Sequence, residues 1–217
     1  MSLESHPFAD VQYLLRKHGV LDSSMYISHG RVRLSYYSPR PGYGEYQVGY
    51  TPYQACFNEK YVDYCLFNDS DKPRREVGIC STVEQRSHPY NMHLGFVDCV
   101  TTDLKKIRSY FDCDLLRRYR PLSVYKTDRS FHVYYTGGLL SQDQWLQFLG
   151  ELLIAADDRD DEDVVDIRWI AHTLRRGFGV LRWSANDKTL YTHRPTLVEK
   201  IQAEDLAQAV GAPAAFL

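Results

Sequence analysis

Between Asp10 and His18 the apolar residues Val11, Leu14 and Leu15 fall at helical spacing, and Gly19 follows as a stop, which predicts a short amphipathic helix near the start of the chain. From Gly30 the period changes to two. Val32, Leu34 and Tyr36 alternate with Arg31, Arg33 and Ser35, and the run passes through the turn-rich SPRPGYG towards Tyr50, predicting two antiparallel strands. Polar punctuation returns at Asn68 to Pro73.

A second block opens near His93. LGFVDCV reads as a short buried strand, and LKKIRSYF after it as a helix with Asp103 in the capping position. Ser123 to Tyr135 reads as one further strand centred on FHVYY. Trp145, Leu146, Leu149, Leu152 and Leu153 then mark a helix that Ser141 is suited to cap. An acidic run, Asp157 to Asp163, leads into VVDIRWIAHTLRR, GFGVLRW and a polar tail. The order strand, helix, strand, helix, strand, with Tyr-rich strands ahead of it, indicates an α+β protein. Residues 1–92 read as an N-terminal α/β module and 93–217 as a second module, the two forming one compact domain.

Composition narrows the class. With 217 residues, 44% hydrophobic and 25% charged, the chain has the balance of a globular protein that buries a core. Lys plus Arg is 26 against 28 for Asp plus Glu, so any nucleic acid must be held by a local basic patch. The start lacks a basic segment followed by an apolar run, and no apolar stretch approaches membrane-spanning length, so an intracellular, non-secreted protein without a membrane partner is expected. Five cysteines, Cys56, Cys65, Cys80, Cys99 and Cys113, contain no C-x-x-C pair and read as free thiols.

Three ionisable residues lie on or beside apolar stretches: Asp98 in GFVDCV, His132 in SFHVYY and Asp166 in VVDIR. A carboxylate there is expensive unless paired. Two of them invite Mg²⁺ or Mn²⁺, which take one or two carboxylates and complete their shell with water and phosphate. The alternative is that each acid caps a helix or ends its strand at the surface. After Asp166, Arg168, His172, Arg175 and Arg176 share one helical face, with Ile167, Ile170 and Leu174 on the other. A basic face beside paired acids suits phosphoryl chemistry, and equally a solvated face answering the acidic run.

Taken in order, Asp98, then Ser130-Phe131-His132, then Asp166, then Arg182, Ser184, Lys188 and Thr189 resemble the motifs of the archaeo-eukaryotic primase superfamily, including primase-polymerases. The resemblance covers roughly Leu94 to Val198. It implies a primase-polymerase-like, RRM-like mixed sheet with flanking helices, preceded by a small α/β module. It implies an enzyme, a nucleotidyltransferase that starts or extends nucleic-acid chains from nucleoside triphosphates on a single-stranded DNA or RNA template, with a helicase or other replication protein as partner. Asp98 and Asp166 would ligate Mg²⁺ or Mn²⁺, and His132 would join them in catalysis. Arg129, Ser130, His132, Arg182 and Lys188 would bind the nucleotide. In the first block Arg31, Arg33, Tyr36, Tyr37, Arg40 and Tyr43 would contact the template, as would Arg168, Arg175 and Arg176 in the second.

One position departs from the pattern. The family's first motif carries a second acid two residues after the first, and here that residue is Val100, with Cys99 between. Asp103 is the nearest substitute, and the D-x-D spelling of Asp69 and Asp71 lies in a turn. A site short of one carboxylate holds two cations poorly. Two further readings therefore stand: a catalytically degenerate primase fold that binds nucleotide or single-stranded nucleic acid, and a metal-dependent nuclease. A bare interaction scaffold is a fourth.

Overall fold

The computed structural model describes residues 3–20, 30–37, 76–85, 90–157, 164–184 and 193–203, with backbone alone at 30–37, 76–77 and 85. Helix α1 (Pro7–Lys17) buries Phe8, Val11, Leu14 and Leu15. It starts three residues before Asp10 because the His6 side chain caps it, Nδ1 accepting from the Phe8 N–H at 3.2 Å. Strand β1 (Gly30–Tyr37) pairs antiparallel with β2 (Glu76–Gln85), with an irregular register between Val32 and Leu34. The strand expected to follow β1 towards Tyr50, the turn at Asn68 to Pro73, and Cys56 and Cys65 lie outside the described residues.

Strand β2 also pairs with β3 (Met92–His93) and with β7 (Val180–Arg182), so this first sheet draws strands from both sides of residue 92. At the β2–β7 crossing the backbones come close. A Cβ on Gly78 would stand 2.7 Å from the Leu181 carbonyl oxygen, which only glycine avoids.

The second sheet has the order β4 (Phe96–Asp98), β6 (Phe131–Tyr135), β5 (Leu122–Lys126), β8 (Thr196–Ile201). The stretch Ser123 to Tyr135 is therefore two strands, not one. Thr127-Asp128-Arg129-Ser130 forms the turn between them, where the Thr127 N–H donates to the Ser130 carbonyl at 3.0 Å and the Thr127 hydroxyl accepts from the Ser130 N–H at 3.1 Å. Side chains of this kind offer the backbone a local partner and so end a strand. The α+β class read from the sequence holds. Its strands divide between two sheets, and every pairing among the described strands is antiparallel, β5 and β6 being joined by the tight turn.

Helices cover the sheet. Asp103 caps α2 (Leu104–Phe111) by accepting from the Lys105 N–H at 2.8 Å. A single turn, α3 (Asp114–Arg117), follows. Helix α4 (Gln142–Asp157) opens on a reciprocal capping box, the Gln144 N–H to the Ser141 hydroxyl at 3.2 Å and the Ser141 N–H to Gln144 Oε1 at 2.9 Å. Its buried face is Trp145, Phe148, Leu149 and Leu152, whereas Leu146 is exposed. Tyr110 of α2 donates its hydroxyl to the Leu152 carbonyl of α4, and Tyr119 joins Phe148 to Tyr135 by edge-on ring contacts.

Helix α5 (Ile167–Arg176) ends at Gly177, whose φ of 75° is the left-handed cap that glycine adopts without strain. It buries Trp169, Ile170 and Thr173, leaving Ile167 and Leu174 exposed. The rotation differs from the expected one because the Trp169 indole is anchored to the Val180 carbonyl at 2.9 Å and packs on Phe96. No helix among the described residues is long and apolar enough to cross a membrane.

Candidate functional site

Antiparallel pairing sets Asp98 directly opposite His132 on β4 and β6, so their side chains share one face of the sheet. His132 Nε2 lies 3.7 Å from Asp98 Oδ1. Asp166 reaches the same place by a different route. Residues 164–166 run along the free edge of β4, with Cys99 bridged to Val165, the Val100 N–H donating to the Val164 carbonyl at 3.0 Å and the Asp166 N–H to the Asp98 carbonyl at 2.9 Å. Two acids far apart in the chain thus become neighbours. Asp166 is not a strand residue: it is the cap of α5, its Oδ1 accepting from the Trp169 N–H at 3.0 Å.

Arg182 ends β7, opposite Gly78, and its guanidinium donates to the Ser184 carbonyl and, at 3.4 Å, to the His193 carbonyl. Its charge is felt by both Asp98 and His132. Burial, and then the like charge of Asp166, push the Asp98 carboxyl up to about 7, against the opposing pull of Arg182 and the Cys99 N–H. Burial, and then the positive charges of Arg182 and His6, hold His132 down at about 3. At neutral pH the imidazole is uncharged. Its Nδ1 is buried and has no hydrogen-bond partner among the described residues. Leaving such an atom unsatisfied costs about 1–3 kcal/mol, the kind of deficit found where a ligand completes the shell.

Next to the acids, on the same face of the sheet, lies a polar network that no pattern in the sequence announces. The Tyr125 hydroxyl, opposite His132 on β5, donates to Asp10 Oδ2 at 2.5 Å, and Lys200 stands 3.4 Å from the other oxygen. The Trp183 indole donates to the Tyr134 hydroxyl at 2.9 Å. The buried His6 donates from Nε2 to the Trp183 carbonyl at 3.1 Å, so one ring both caps α1 and anchors the segment after β7. These groups tie β5, β6 and the segment after β7 together alongside the acids. Their side chains are common core types, and only the tertiary fold pairs them.

Other sequence candidates fall as follows. Ser130 and Arg129 lie in the β5–β6 turn, two and three residues ahead of His132, with Arg129 exposed. Arg168 is 90% exposed, its Nε 4.0 Å from Asp166 Oδ1. Arg175 is exposed and Arg176 donates from Nε to the His172 carbonyl at 3.0 Å. Arg31, Arg33, Tyr36 and Tyr37 lie on β1. Arg40, Tyr43, Asp69, Asp71, Lys188 and Thr189 lie outside the described residues. Val100, the position of the missing acid, is 44% exposed beside the site, and Asp103 is engaged as the α2 cap.

Among the described residues no group of three or more His, Cys, Asp or Glu side chains is arranged to hold a metal ion. The donor set is two carboxylates, one of them with an oxygen engaged in a helix cap. That chemistry fits a hard cation whose shell is completed by water and phosphate, and does not fit a closed protein cage. Cys80, Cys99 and Cys113 are free thiols, and burial next to Asp98 raises the Cys99 thiol well above its usual range.

Two antiparallel sheets with flanking helices, bringing acids, a histidine and an arginine to one sheet face, have the layout of a primase-like α+β protein. The sequence model of AEP-like, archaeo-eukaryotic primase 1D-like proteins matches residues 61–196. This is more than half of the chain, which therefore belongs to that family. No curated protein and no solved structure matches it.

Proposed function

We propose that this protein is a primase-polymerase-like nucleotidyltransferase, joining a 3′-hydroxyl to the α-phosphate of a nucleoside triphosphate with release of pyrophosphate. The observation that carries the reading is the cluster of Asp98, His132, Asp166 and Arg182 in a member of the primase family. Asp98 and Asp166 would hold Mg²⁺ or Mn²⁺. When bound, such a cation offsets phosphate charge and eases deprotonation of the attacking hydroxyl. Arg182 supplies fixed positive charge for the triphosphate, and His132, neutral and short of one hydrogen-bond partner, offers its ring to a phosphate oxygen. The exposed Arg168 beside Asp166 and the exposed Arg175 near the end of α5 suit a single-stranded template, with β1 as a second contact through Arg31, Arg33 and Tyr36.

A second reading is favoured by Val100: a degenerate primase fold that binds nucleotide or single-stranded nucleic acid without catalysis. A metal-dependent nuclease would use the same acids. Primer extension with labelled nucleotides in Mg²⁺ or Mn²⁺ tests all three. Asp98→Asn and Asp166→Asn are the informative variants, since Asn still caps α5 while removing the charge. Extension lost in both is expected. Nucleotide binding without extension in the wild type assigns the binding module, and shortening of labelled DNA without triphosphate assigns the nuclease.

A further inference from the structure

The β5–β6 turn carries a second polar pair outside the cluster of acids. Asp128 accepts the His193 backbone N–H on both carboxylate oxygens, at 3.2 and 3.0 Å, and its Oδ1 lies 2.6 Å from His193 Nδ1. The Asp128 side chain is 10% exposed and the His193 side chain 81%. A largely buried carboxylate therefore fixes a ring that projects into solvent. Asp128 holds the ring by Nδ1, so Nε2 is the ring nitrogen that the acid does not engage.

The location gives the pair its meaning. Asp98 and His132 lie at the end of their strands nearest the β5–β6 turn, and His193 enters the sheet just before β8, whose Thr196 pairs with Lys126 at the foot of that turn. Arg182 connects the two groups. One guanidinium thus acts on Asp98 and His132 by its charge and touches the backbone of His193, where its Nη1 donates to the carbonyl. A polyphosphate held at the acids through a cation and at Arg182 by charge would have the residue that Arg182 touches, His193, as a neighbour.

Backbone tethering alone explains less than is seen. The two bonds from the His193 N–H already tie the start of β8 to the turn, and any residue would make them. The ring contact adds orientation to a side chain that contributes little to the core. We infer that His193, oriented by Asp128, is a further contact for the β- and γ-phosphates of the incoming nucleoside triphosphate, an inference that rests on the nucleotidyltransferase reading. In its protonated form the ring offers Nε2–H to a phosphate oxygen, a charge-assisted hydrogen bond. Asp128 is a positioning residue.

Binding of ATP, AMP and inorganic tripolyphosphate in Mg²⁺, measured by calorimetry on the whole chain, tests this. His193→Ala keeps the backbone bonds to Asp128, and an unchanged thermal midpoint checks that it folds. The expected result is roughly tenfold weaker ATP and tripolyphosphate binding with AMP binding unchanged. His193→Arg restores most of the loss, which a purely structural role for the ring would not allow. Asp128→Asn weakens ATP binding in the wild type but adds nothing to His193→Ala. Wild-type binding of ATP that His193→Ala leaves within twofold overturns the inference alone. Wild-type protein that binds neither ATP nor tripolyphosphate overturns the nucleotidyltransferase reading, and this inference with it.

Discussion

Asp98 and His132 face each other at 3.7 Å across β4 and β6 without forming an ion pair at neutral pH. The imidazole is held near 3 by burial and by Arg182, so it carries no charge, and the carboxyl is held near 7 by burial and by Asp166. Both shifts resist accumulation of net charge in one partly buried place. The fold thus sets two acids against each other, a repulsion that a divalent cation would relieve.

Stability should therefore respond to Asp98 in a defined direction. The folded-state value lies above the unfolded one, so the group's contribution is fully present below about 3.8 and is lost as pH rises through about 7. Asp98→Asn removes that loss. Urea unfolding should find the variant more stable than wild type by roughly 1–2 kcal/mol at pH 8, with a smaller difference at pH 5. Equal differences at the two pH values would contradict this account of the site.

His6 titrates with the opposite consequence. Burial lowers it from 6.5 to about 4, and its neutral ring both donates to Trp183 and accepts from the Phe8 N–H. A second proton would place N–H against N–H at the start of α1. The unfolded chain binds that proton first, so the stabilising contribution is complete above about 6.5 and is lost as pH falls towards 4, by up to roughly 3 kcal/mol. His6→Asn retains a capping oxygen. It should flatten the slope of stability against pH between 4 and 6.5, and a slope equal to wild type would assign the acid sensitivity elsewhere, His132 first.

Much of this arrangement was legible before the fold was known, and the rest was not, for separable reasons. Local signals carried the helix caps: Asp103 and Ser141 act within three residues of themselves, and both cap as expected. The acids and His132 stood out because charge on an apolar stretch is conspicuous. Asp166 follows the alternative reading, an acid that caps a helix, because the apolar pair ahead of it forms a one-residue bridge and not a strand. The hairpin inside Ser123 to Tyr135 was hidden because its turn, Thr127 to Ser130, has neither glycine nor proline. His6, Asp10, Tyr125 and the Asp128–His193 pair gain their roles only through contacts between distant segments.

The crossing of β2 and β7 should be intolerant of a single added methyl. A Cβ at Gly78 would lie 2.7 Å from the Leu181 carbonyl oxygen and 2.8 Å from a Val180 methyl, next to the residue pair that aligns Arg182. Gly78→Ala should lower stability by about 1–3 kcal/mol through overpacking. Because relief would move β7, triphosphate binding should weaken as well. A thermal midpoint within a degree of wild type would mean that the strands separate freely.

Val100 offers the sharpest test of what the missing acid means. It follows Asp98 by two residues in an extended segment, so the two share a face, and its side chain is 44% exposed just past the end of β4, where its N–H bonds to the Val164 carbonyl. Val100→Asp supplies the second acid of the family's first motif without burying a charge in the core. A third carboxylate offsets cation charge that Asp98 and Asp166 carry alone, so Mn²⁺ affinity should rise by about tenfold, equivalent to ~1.4 kcal/mol. Primer extension should rise with it if the remaining machinery is catalytic. Tighter Mn²⁺ without extension would identify a binding module that keeps the fold of a primase; unchanged Mn²⁺ affinity would mean that Asp98 and Asp166 do not form a cation site.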